Sequence, residues 1–203
     1  MSIRIFLFTL LVIVGATAQA LAADPRYPDW PCAQAKVPEI SLAAVWAGPP
    51  LDDVTNKWKT DSKVEPLVAR LAARRTSMED AEKLITDFLS NSTDKAQNGK
   101  MLFAGLFEIL NAQRNSVMNG LERVTRKQRT AADKVRADTL ALHELQDAPT
   151  PDATKIEQLS NQLTWETRIF EDRNKVIRFA CEVPTIIDQR LFALGRTIQQ
   201  EME

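Results

Sequence analysis

Histidine is almost missing from this chain of 203 residues, glycine is scarce and cysteine occurs twice. A single histidine, His143, falls short of a structural zinc centre, which draws on four nitrogen or sulfur ligands. With Glu144 beside it and Asp147 one turn on, it reads as part of a charged helix surface. Six glycines, and no run in which apolar and polar side chains alternate, leave no room for a sheet. No G-x-S-x-G, P-loop, H-E-x-x-H, C-x-x-C-H or EF-hand pattern occurs. The acidic doublets Asp52-Asp53 and Glu79-Asp80 stand where helices are expected to start, so they suit the helix dipole rather than mark an acid–base pair. The sequence therefore indicates no catalytic residue, metal or cofactor, and the chain is expected not to be an enzyme. A basic excess is also lacking: 26 Lys and Arg face 27 Asp and Glu, which argues against a nucleic-acid partner.

What is present begins with an export signal. Arg4 precedes the apolar run Ile5 to Val14, and the small residues Ala18, Ala20, Ala22 and Ala23 follow. Residues 1–22 read as a secretory signal peptide cut after Ala22, with Ala20 and Ala23 as alternative sites. The apolar run is shorter than the roughly 20 residues of a membrane-spanning helix. The mature chain is expected in the periplasm, with no transmembrane segment. Both cysteines, Cys32 and Cys181, reach that oxidising compartment, and an even pair without C-x-x-C spacing predicts one structural disulfide.

Residues 23–60 hold six of the ten prolines, at positions 25, 28, 31, 38, 49 and 50, with Trp30, Trp46 and several aliphatic residues between them. Proline lacks an amide hydrogen and fixes φ, so this stretch is expected to run extended, with one short turn at Ser41 to Trp46. Its apolar residues need cover, which predicts a strap lying across helices and welded by Cys32–Cys181. An aromatic ligand pocket is the alternative use of those tryptophans.

The rest, 61–203, reads as an all-α domain. Short helices are expected at about 66–75, with Pro66 in its first turn, and at 78–91, where Ser77 and Asp80 form a capping pair. Two long arms, about 95–147 and 152–203, flank the sequence Ala148-Pro149-Thr150-Pro151. The second arm carries one residue every seven positions: Ile156, Leu163, Phe170, Ile177, Pro184, Leu191 and Ile198. Such a repeat keeps one stripe of a helix facing one neighbour. The first arm answers with Phe103, Leu110, Val117, Val124 and Ala131, then slips by four to Val135 and Leu142, a stutter. The expected fold is a long antiparallel, coiled-coil-like hairpin packed at its base with the two short helices. Facing residues in such a hairpin have numbers totalling about 299, an in-register estimate. That register sets Cys181 beside Met118 and Gly120, with the glycine giving the strap room, and Pro184 predicts a kink.

Glu166, Arg173, Gln113, Lys127 and Lys134 dilute the stripe between base and tip. They either reach solvent while their stems pack, or mark a seam that another helix completes. The basic positions Arg123, Arg126, Lys127, Arg129 and Arg173 form a candidate partner surface, ion pairing within the hairpin being the alternative. These features point first to an exported scaffold or interaction protein that binds an unidentified envelope protein, or a second copy of itself, through the hairpin. A holdase-like periplasmic chaperone and a small-ligand or metal-binding bundle are the alternatives.

Overall fold

The computed structural model describes residues 24–203. The expected signal peptide lies outside the described residues. Six α-helices follow in order: α1 (Leu42–Val45), α2 (Val64–Ala72), α3 (Met78–Ser90), α4 (Lys95–Gln146), α5 (Ala153–Ala180) and α6 (Val183–Met202). A single 3-10 turn covers Lys57–Lys59, and no strand occurs among the described residues. The fold is all-α, a helical hairpin on a small helical base, as the heptads and glycine scarcity predict.

Aspartate or serine caps three of these helices. The Ser77 hydroxyl accepts from the Asp80 amide at α3, Asp94 from the Gln97 amide at α4, and Asp152 from the Lys155 amide at α5. α2 starts two residues before Pro66, because the Asp61 carboxylate accepts from the amides of Lys63 and Val64 and Pro66 needs no donor in the first turn. Its far end is closed by α6: the Arg190 guanidinium donates to Leu71 O in the last turn of α2 and to Thr76 O in the loop that follows.

α4 is unbroken for 52 residues, about 78 Å at 1.5 Å per residue. The return arm is two helices rather than one. Cys181 and Glu182 keep right-handed helical dihedrals, but Pro184 has no amide to offer Ala180 O, and the helix is interrupted there. The break falls at the proline expected to kink the arm, and α6 starts at Val183.

The base holds the main core. Phe103, Leu106 and Leu110 of α4 pack with Leu191, Leu194 and Ile198 of α6, Ile85 and Leu89 of α3, and Val68 and Leu71 of α2, nearly all without solvent exposure. Two of the strap's tryptophans, Trp46 and Trp58, join this core, while Trp30 packs beside the disulfide. Trp46 stacks on Phe103 with ring centres 4.3 Å apart, and Trp58 lies buried against α4 at Gly105. Gly195 lets α1 settle directly on α6, since a Cβ there would stand 2.8 Å from Val45 O and 2.8 Å from the Phe103 ring.

Candidate functional site

Above the base the two arms run side by side in the expected register. Lys134 binds Glu166 at 2.7 Å, Gln162 donates to Asp138 at 3.0 Å, and Gln128 donates to Phe170 O at 3.0 Å. The numbers of these pairs total 300, 300 and 298 against an expected 299. Donating to Asp138 and then to Glu166 raises the Lys134 pKa above its ordinary value, and Lys134 holds Asp138 below the ordinary carboxylate value.

The α4 side of this seam differs from the expected one. After Leu110 the inward positions are Arg114, Leu121, Gln128, Val135 and Leu142, so the four-residue slip falls between 110 and 114, not between 131 and 135. Val124, expected inside, is 39% exposed. Two polar residues have taken the places assigned to Val117 and Val124, and both are buried: Arg114 is 3% exposed and Gln128 6%. Each has partners distant in sequence. Arg114 reaches Asp188 and donates to Val37 O, while Gln128 donates to Phe170 O and Asn174 Oδ1.

Of the residues expected in the hairpin core, Leu163, Ile177, Leu191 and Ile198 are buried and Ile156 and Phe170 half-buried. Leu191 and Ile198 serve the base rather than the arm.

The strap crosses the arms where the return rod is interrupted. Cys32 is bonded to Cys181, Cα atoms 5.5 Å apart, beside Trp30, Val117, Leu121 and Ile177. Gln34 donates to Cys181 O, and Lys36 binds Glu122 at 2.5 Å. Gly120 gives this crossing no room: a Cβ there would meet only the Arg123 side chain, at 3.8 Å. Leu121, one position on, is the residue beneath the disulfide.

The candidate basic surface divides. Arg126 and Arg129 are taken up by the strap, binding Asp29 at 2.8 and 2.6 Å, and Arg129 also donates to Pro28 O. Their hydrogen bonds, that of Arg126 foremost, hold the Asp29 carboxyl below its ordinary range. Arg123, Lys127 and Arg173 are exposed and in no ion pair among the described residues.

The outer side of α5, facing away from α4, carries the most exposed large apolar side chains of the arms. Trp165 is 63% exposed, Val176 65% and Phe179 73%. They lie on one line of the helix, with Ile169 half-buried at its edge. The sequence signal for this row is a second heptad two residues out of phase with the first, and it is hidden because Leu163, Phe170 and Ile177 already account for α5 as a one-sided helix.

A concave feature lies near the base of α4, away from the outer face of α5. A cleft of about 680 Å³ separates the strap's Leu42, Pro50 and Leu51 from Phe107, Asn111 and Asn115 of α4. His143 is exposed near the turn, and no cluster of three or more His, Cys, Asp or Glu side chains suited to a metal occurs among the described residues. No helix among the described residues is long and apolar enough to cross a membrane. No protein-family model matches the chain, and comparison with curated proteins and with solved structures returns no similar protein.

Proposed function

We propose that this chain is an exported periplasmic interaction protein that holds a partner protein along its helical hairpin. The observation that carries this reading is the row Trp165, Val176 and Phe179 turned to solvent on the face of α5 opposite its α4 contact. Burying a large apolar side chain contributes about 1.5 to 3 kcal/mol, so covering such a row supplies the core of a specific contact. The leader-like residues 1–22 and the Cys32–Cys181 bond support export. The base and strap then serve to fix the arm's direction, while the outer side of α5 meets the partner.

Photo-crosslinking from position 176 of the full chain in its own cell envelope tests the reading, with position 130 on the exposed side of α4 as control. A discrete product formed from position 176 and absent from 130 is the expected result. No product from 176 rejects the reading.

The same exposed row favours a second reading, a holdase that shields unfolded exported chains. A smear of many products from 176, together with suppression of client aggregation at equimolar protein, selects it.

A further inference from the structure

Extending the interaction reading, we propose that the outer face of α5 is a two-stranded coiled-coil half-site whose occupant is an amphipathic helix with acidic flanks, supplied by another protein. Trp165, Asp172, Phe179 and Ile186 recur every seven residues, and Ile169, Val176 and Val183 stand four after Trp165, Asp172 and Phe179. This is a full a/d seam, with d at 165, 172, 179 and 186 and a at 169, 176 and 183. Cys181 and Glu182 keep helical dihedrals, so the phase passes the break, although Val183 packs on the base core. The free length from Trp165 to Phe179 is about 22 Å at 1.5 Å per residue, four helical turns. β-branched residues at a, Ile169 and Val176, favour pairing with one further helix rather than several.

The flanking e and g positions choose the partner's charge. They carry Arg168, Arg173 and Lys175, all exposed. Arg168 and Arg173 have no ion-pair partner among the described residues, and Lys175 reaches only Asp172, at 3.0 Å. Glu166, also on a flank, is committed to Lys134 across the inner seam, and Glu182 lies beyond Phe179 at the base end. An incoming helix along Trp165 to Phe179 therefore meets cations on both sides, which acidic residues at its own flanks complement. A second copy of this chain is disfavoured, since an isologous contact turns the same cations towards each other. A lipid surface is disfavoured by Asp172, which sits in the middle of the row and would lose its hydration there. Within a helical pair, Asp172 is the single polar layer that sets register, facing a basic residue of the partner.

The test uses the full oxidised chain and two synthetic helices of about 21 residues, with Ile at a, Leu at d and one Lys opposite Asp172. One carries Glu and the other Lys at every e and g position. Calorimetry at about 50 mM salt is expected to show the Glu helix binding at least about tenfold tighter, the gap closing as salt rises to about 500 mM. Replacing Val176→Glu and Phe179→Glu together is expected to abolish binding with the far-ultraviolet circular dichroism unchanged. Arg168→Ala with Arg173→Ala is expected to keep binding but erase the preference. Equal binding of the two helices, binding of neither, preferential uptake on phosphatidylglycerol vesicles, or a dimer of the chain broken by Val176→Glu each overturns the proposal. A discrete envelope crosslink at 176 without the acidic preference overturns this assignment and leaves the interaction reading standing.

Discussion

Arg114 of α4 and Asp188 of α6 lie beneath the strap with Nε and Oδ1 2.8 Å apart, and the other guanidinium nitrogens reach Met118 Sδ and the carbonyls of Val37 and Pro38. The Nε–H points off the line to the carboxylate, so the pair is held by charge more than by an aligned hydrogen bond. Arg114→Met is expected to lower the unfolding free energy by about 3 kcal/mol, because it strands a half-buried carboxylate and two strap carbonyls. Asp188→Asn is expected to cost less, since an amide oxygen still faces the guanidinium, which keeps the carbonyls of Val37 and Pro38. Urea titrations of the two variants check the order, and equal losses would refute it.

Acid separates Asp29 from Asp188. Hydrogen bonding from Arg126 and then Arg129 depresses the folded pKa of Asp29 below the ordinary 3.8. Its contribution is therefore present above that value and is lost as pH falls through the folded pKa. Burial raises Asp188 against the pull of Arg114, so its charged form weighs against the fold, and the penalty fades as pH falls through the raised pKa. Asp29→Asn is expected to shrink the stability lost between about pH 5 and pH 3, and Asp188→Asn to enlarge it. Urea midpoints across that window give the signs.

Breaking the weld should release the strap before the helices. Cys32→Ser with Cys181→Ser opens a loop spanning 149 positions, a loss of about 4 to 5 kcal/mol from loop-closure entropy. Helical circular dichroism at 20 °C is expected to persist at about its original level, while limited proteolysis cuts within residues 24–40. Protection of that segment in the variant would show that Asp29 and Lys36 suffice to dock it.

Two glycines in helices should respond with opposite signs. Gly195→Ala sets a methyl 2.8 Å from a backbone carbonyl that cannot step aside, and a net loss of about 1 to 2 kcal/mol is expected despite the better helix former. Gly120→Ala meets only a flexible arginine and is expected to gain about 1 kcal/mol. Thermal unfolding of both variants reads the contrast.

The hairpin was legible because its determinants are local or periodic. Pro149 and Pro151 enforce the turn, a seven-residue repeat defines the inner face of α5, and Pro184 marks the break between α5 and α6. The interior of α4 was misread for one reason. A search for apolar residues at heptad spacing selects Val117 and Val124, whereas Arg114 and Gln128 occupy the seam because their partners come from the strap, α6 and α5. A buried guanidinium is acceptable only when carbonyls and a carboxylate meet it, and Val37, Pro38 and Asp188 are far from it in sequence. The outer seam of α5 was hidden by the opposite cause, since one satisfied stripe makes the other face pass for ordinary surface.

The two arms also differ as mechanical members. α4 is a single strut, whereas its companion is jointed at Cys181 and Glu182, and the strap is clamped across that joint by Cys32. A sideways load on the outer face of α5 is thus carried past the joint by a covalent splint into the base. Cutting Cys32–Cys181 would leave only the Cys181–Glu182 link and the packing on α4 to hold the tip, and turn a stiff bracket into a looser one.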